Sequence, residues 1–232
     1  MASHPCKVAT ATGFFYEGNG NKYLVTNRHV LLQEERKFYP DSLKIRVHTS
    51  PTSWENRNVS ISLYGDDQNP KWLEHPLNVN YPEPEKVDVV AININSYVTS
   101  SDYITYWSRN YFLPEDEILS LGHQVLVVGY PLGFYDEHHN FPITKSGTLA
   151  SPYRIYFRNK PVLLVEANLP PGTSGSPVIL PHRSIRQLRN VGVSIETEPT
   201  PANLLSVFSA EHVGLGLNRV WYPSLIEDIL SG

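Results

Sequence analysis

A serine on a glycine-flanked turn, Pro171-Gly172-Thr173-Ser174-Gly175-Ser176-Pro177, is the feature of this chain best suited to chemistry. Such a turn lets two backbone N–H groups point at one spot beside the hydroxyl, which is what an acyl-transfer nucleophile requires. Gly172 lets the main chain approach that spot, and Gly175 frees the exit of the turn. A neutral hydroxyl is a poor nucleophile and needs a base within hydrogen-bond reach. His29 can supply one: the apolar strand Tyr23–Val25 runs into a polar bend and delivers it just before an apolar run. Asp88 is the matching acid, alone in Lys86-Val87-Asp88-Val89-Val90-Ala91-Ile92. A carboxylate entering so apolar a strand needs a partner to offset its desolvation, and an imidazole N–H is suitable. The chain order His29, Asp88, Ser174 differs from the acid–His–Ser and Ser–acid–His orders of two other hydrolase architectures.

Competing residues are few. Ser176 lies two positions beyond Ser174, and Asp102, in Ser101-Asp102-Tyr103, rivals Asp88. Glu137-His138-His139 invites a metal reading, but adjacent histidines point apart on an extended chain and no third ligand has usable spacing. A solvated loop is the expectation there. Arg183, Arg186 and Arg189 read as a solvated hairpin tip, Tyr16, Tyr23, Tyr153 and Tyr156 as barrel packing, and Cys6 as an inert thiol.

The elements that must position these groups are short apolar runs separated by turn residues, which indicates an all-β barrel architecture. In the first half they are Gly13–Tyr16, Tyr23–Thr26, Leu43–His48, Val59–Leu63 and Val87–Ile94. Val30–Phe38 is expected as a short helix and Pro70–Glu85, with four prolines, as an extended loop. The pattern loosens between Asn95 and Glu117, where a connection between two barrels is expected. It resumes at Gln124–Val128, Gly147–Ser151, Arg154–Phe157, Leu163–Asn168, Pro177–Leu180, Asn190–Ile195 and Gly214–Leu217. Residues 223–230 carry apolar side chains at helical spacing behind a Ser cap, a terminal helix expected to pack on the second barrel.

Seven blocks in one order resemble a chymotrypsin-fold (trypsin-like) serine protease, closest to the bacterial HtrA/Deg-like type without a PDZ domain. They are Gly13-Phe14-Phe15, Thr26-Asn27-Arg28-His29-Val30, Val87-Asp88-Val89-Val90-Ala91, 125–131, Lys145-Ser146-Gly147-Thr148-Leu149, 172–177 and Val191-Gly192-Val193-Ser194. The resemblance implies two six-stranded antiparallel β-barrels with a short C-terminal helix: residues 1–110 carrying His29 and Asp88, and residues 111–232 carrying Ser174. It places the nucleophile between the oxyanion-hole residue and the next glycine, which selects Ser174 over Ser176. It also implies an oxyanion hole from the N–H groups of Gly172 and Ser174. Asn168 falls at the floor of the primary pocket and Leu169 on its wall, favouring a small or medium apolar residue, unless Glu196 reaches in and admits Lys or Arg. Ser194, Ile195 and Glu196 fall on the edge strand that pairs with the substrate backbone. Zymogens of the family carry an aspartate just before the nucleophile; Thr173 stands there, so activity without amino-terminal cleavage is expected.

The function implied is a serine endopeptidase acting on protein or peptide substrates. The alternatives are an idle scaffold that binds peptides or partners, and a protease module switched on by a regulatory protein. The segments Phe134–Thr144 and Glu196–His212 fall where the family keeps loops bordering the active site. Composition agrees with the architecture: 41% apolar residues support real cores, and 14 Tyr with 19 Pro favour strands and turns over long helices. A net charge of −4 without a basic run argues against nucleic acid, and no stretch approaches a membrane span. One cysteine permits no internal disulfide, and the first residues lack signal-peptide features, so a cytoplasmic location is expected. No cofactor and no metal are expected.

Overall fold

The two halves of the chain solve the same problem differently. The computed structural model describes residues 9–82, 85–190, 192–212 and 214–232, and the side chains of 195–200, 211 and 212 lie outside that description, as does Cys6. The first half forms β1 (Phe14–Gly18), β2 (Asn21–Thr26), β3 (Ser42–His48), β4 (Asn56–Ser62), β5 (Trp72–Glu74) and β6 (Val90–Asn93). Instead of one closed barrel, these six strands make a four-stranded sheet, β1-β2-β6-β5, and a separate hairpin, β3-β4. The β1–β2 turn is Asn19-Gly20, both at positive φ, as a two-residue hairpin of right-handed twist demands. Leu24, Val47, Ile61, Val90 and Ile92 fill the space between the two sheets.

The second half closes. Strands β7 (Gln124–Gly129), β8 (Ile143–Leu149), β9 (Val162–Glu166), β10 (Pro177–Leu180), β13 (Asn203–His212) and β14 (Leu217–Trp221) form a barrel in the order β10-β13-β14-β9-β8-β7. Val125, Val127, Val165, Val178, Leu205 and Val220 point into it. The hairpin β11 (Arg183–Leu188) and β12 (Gly192–Thr200) is inserted between β10 and β13.

A third core joins the halves. Val87, Val89 and Ala91 meet Leu204, Val207 and Trp221, with Leu225, Ile226 and Ile229 of the terminal helix. Val90 and Ile92 face the first-half core, so this segment is buried on both sides. That explains its almost unbroken apolar run, with Asp88 at its head.

Several expectations are corrected. The terminal helix α2 (Ser224–Ser231) packs into the core between the halves, against the first-half sheet as well as the barrel, and Tyr16 hydrogen-bonds Glu227 across the first of these contacts. Pro223, not a serine, occupies its N-cap. The helix after the bend, α1, is confined to Arg28–Leu31. Residues 154–157 form a turn with Arg154 at positive φ rather than a strand. The proline-rich loop contains β5, and residues 196–212, expected as a loop, are mostly strand. Two of the three clustered arginines are not solvated: Arg183 and Arg186 pair with the buried carboxylate of Glu117, while Arg189 is exposed in the turn after β11.

Candidate active site

His29 sits in α1, where β2 leaves the first-half sheet. Thr26 and Asn27 make the bend, and both are buried and committed: Thr26 Oγ1 donates to Thr12 O at 2.7 Å, and Asn27 Nδ2 to Asp88 O at 2.6 Å. Arg28 is turned inward and bonds Glu74 at 2.9 Å, so neighbouring His29 faces outward into the cleft. Asp88 is held from behind by Asn78, whose side chain accepts from Val87 N at 2.8 Å and donates to Val87 O at 3.1 Å. Asn78 itself sits in a short 3₁₀ turn, Pro76–Asn80, inside the proline-rich segment.

These supports bring His29, Asp88 and Ser174 together. His29 Nδ1 lies 2.7 Å from Asp88 Oδ2, and His29 Nε2 lies 3.0 Å from Ser174 Oγ. The His29 backbone N–H donates to Asp88 Oδ1 at 2.9 Å. Burial pushes the Asp88 carboxyl upward, yet the His29 and Ser209 hydrogen bonds outweigh it and hold the group below the usual carboxylate value.

The two rivals go elsewhere. Ser176 is 0% exposed and tucked against Gly129, where a Cβ would strike its hydroxyl. Asp102 is gripped by Arg57 at 2.7 and 2.6 Å and by the Thr99 N–H at 2.7 Å.

The turn before Ser174 is open for a ligand. Gly172 adopts φ +94°, a left-handed conformation that favours glycine. The peptide carbonyls along the turn are anchored: Pro171 O accepts from Leu132 N at 2.6 Å and Thr173 O from Ser176 N at 3.0 Å. A trans peptide aims its N–H opposite its carbonyl. Among the described residues, the Gly172 and Ser174 N–H groups therefore find no protein acceptor. Thr173 is buried, its hydroxyl bonded to Pro170 O at 2.7 Å, so this turn is closed locally without a charge.

The expected substrate-binding residues are only partly brought to this place. Ser194, Ile195 and Glu196 belong to β12, which pairs with β11 in the inserted hairpin; the side chains of the last two lie outside the described residues. The strand beside Ser174 is β13. Its Ser209 donates to Asp88 Oδ2 at 2.6 Å, and its carbonyl lies 3.4 Å from Ser174 Oγ. A bulge between Phe208 and Ala210 re-aims Ser209 toward the acid. Beyond Phe208, β13 is paired only with β14 among the described residues, so its other edge is free. Sequence reasoning missed Ser209; the signal that could have found it is the serine within the apolar run Val207-Phe208-Ser209-Ala210.

Leu169, expected on the wall of the primary pocket, is 6% exposed and packs in the barrel core. Asn168 is exposed and lines an open cavity of about 660 Å³ with Ser146, Thr148 and Gly216; none of His29, Asp88 or Ser174 lines it.

Residues 11–184 match the family model described as a trypsin-like peptidase domain. The chain belongs to that family. Its chymotrypsin-like fold and peptidase class follow from that membership. Among solved structures it is similar to the Rv3671c protease in its inactive form, at 13% identity over 95% of this chain and 82% of that one, TM-score 0.46. A serine-to-alanine mutant of Rv3671c from M. tuberculosis H37Rv, also in an inactive form, matches at 14% identity over 95% and 80%, TM-score 0.45. A search of curated proteins finds no match.

Proposed function

We propose that this trypsin-like peptidase is a serine endopeptidase working through His29, Asp88 and Ser174. The single observation that carries the reading is the unbroken line of contacts from Asp88 Oδ2 through the two His29 ring nitrogens to Ser174 Oγ, at 2.7 and 3.0 Å. An ionised Asp88 can only accept at Nδ1, so it fixes the imidazole tautomer with Nε2 unprotonated. Nε2 then accepts the Ser174 proton as Oγ attacks the scissile carbonyl. The carbonyl oxygen, now negative, is received by the Gly172 and Ser174 N–H groups. The imidazolium gives its proton to the departing amine, and the acyl–Ser174 ester remains. Water enters, His29 takes its proton, and the ester is hydrolysed, restoring Ser174 and releasing the acid. Asp88 stabilises each imidazolium and does not itself take the proton.

The substrate is a protein or peptide whose backbone adds to the free edge of β13 at Ser209, a β-augmentation contact. The neutral closure of the turn at Thr173 supports activity without cleavage of the amino terminus. Digestion of an undecorated peptide library followed by mass spectrometry tests the reading. Internal cleavage products should appear with wild type and be absent with Ser174→Ala. Release of single terminal residues only would contradict an endopeptidase.

A further inference from the structure

We propose that Thr12 is the positioning residue that keeps the oxyanion turn in its receptive form; the inference rests on the catalytic reading above. Four successive carbonyls define the turn. Pro171 O is held by Leu132 N–H and Thr173 O by Ser176 N–H, while both others are held by Thr12. Its backbone N–H donates to Ser174 O at 2.9 Å, and its hydroxyl donates to Gly172 O at 2.9 Å.

The direction of the hydroxyl bond is not free. Thr12 Oγ1 accepts from Tyr130 N–H at 3.0 Å, so its one proton is left for Gly172 O. Thr12 is 4% exposed, so water does not compete. The result is a relay, Tyr130 N–H to Thr12 O–H to Gly172 C=O, which ties β7 and the chain entering β1 to the turn. The turn needs such a tie. Gly172 has little steric preference of its own, so rotation of the adjoining peptides is inexpensive unless their carbonyls are claimed. Rotation of the Gly172–Thr173 peptide would turn Gly172 O away from Thr12 and disturb the two flanking peptides, which carry the donor N–H groups of Gly172 and Ser174. Thr173 contributes no charge to resist it, since its hydroxyl closes on Pro170 O.

The same spot explains two nearby glycines. A Cβ on Gly175 would strike Thr12 O, and one on Gly129 would crowd Thr12 Oγ1, so both positions are shaped around this residue. Thr12 touches no substrate atom; it acts through Gly172.

The test compares wild type, Thr12→Val and Thr12→Ser on one cleavable peptide, with melting curves to set the folded fraction. Thr12→Val keeps the shape and removes the hydroxyl; Thr12→Ser keeps the hydroxyl. Outright loss of an oxyanion donor costs about 10²–10³, so weakening its support should lower kcat about 10- to 100-fold. KM should stay within about twofold and Thr12→Ser within about threefold of wild type, because only the transition state uses the hole. A peptidyl boronate, which mimics the tetrahedral state, should lose affinity for Thr12→Val in the same proportion. If Thr12→Val does not fold, Thr12→Ala gives the same comparison. Unchanged kcat in the hydroxyl-free variant, or equal loss in Thr12→Ser, overturns the role of Thr12. An inactive wild type would instead overturn the endopeptidase reading.

Discussion

The Ser209 hydroxyl donates to Asp88 Oδ2 at 2.6 Å, so a strand of the closed barrel holds the acid supplied by the other half of the chain. Asp88 thus has three donors, and its folded-state pKa is depressed although burial acts the other way. A depressed carboxyl contributes stability above its unfolded value and loses it as pH falls through the folded one. Ser209→Ala removes a charge-assisted bond of about 1.5–3 kcal/mol. Acid unfolding, followed by tryptophan fluorescence, should begin at higher pH in this variant, and kcat/KM should fall about tenfold. An unchanged acid midpoint would show that the contact does nothing for the carboxylate.

Asp88 and Asp102 give a paired prediction. Asp88→Asn should lower kcat about 10⁴-fold while leaving the fold intact, because the amide favours the wrong His29 tautomer. Asp102→Asn should leave kcat within a few-fold. The Arg57 hydrogen bonds hold Asp102 down to about 2, against some upward push from burial. Its contribution to stability is therefore full above the usual carboxylate value and disappears as pH falls toward 2. Denaturant titrations should show Asp102→Asn less stable at pH 7 by about 1–2 kcal/mol, Arg57 being partly exposed, with the gap closing near pH 2. The reverse pattern of kcat losses would exchange the roles of the two acids.

Asn78 should matter without touching the reacting groups. Removing its side chain leaves Val87 N–H and C=O unpaired in a buried place, at a cost of about 1–3 kcal/mol. Asn78→Ala should lower the urea midpoint and also kcat, since Asp88 follows directly in the chain. Lost stability with full kcat would confine Asn78 to a structural role.

How far the chain could be read depended on where the deciding forces lie. His29, Asp88 and Ser174 were legible because each stands in a local pattern: a polar bend after a strand, an acid at the head of an apolar run, a serine between glycines. Strand β10 was legible to the residue. Ser209 was not: Val193-Ser194 offers the same local cue, and only pairing across the barrel distinguishes them. Thr12 was hidden for the same reason, since its hydroxyl partner lies 160 positions away. β5 spans three residues beside prolines, too short to leave a periodic signal, and is fixed by pairing with β6. The barrel-core packing of Leu169 was hidden because a short irregular segment carries no mark of which side faces the core. Helix α2 showed its apolar stripe but not what that stripe would cover.

One alcohol carries the account. A fluorophosphonate probe phosphonylates only a serine whose proton can be taken and whose adjoining hole can receive the negative oxygen. Labelling measured by mass spectrometry should add one probe to wild type at Ser174 and none to Ser174→Ala, while Ser176→Ala, if folded, still reacts. Equal labelling of wild type and Ser174→Ala, or none of wild type, would contradict it.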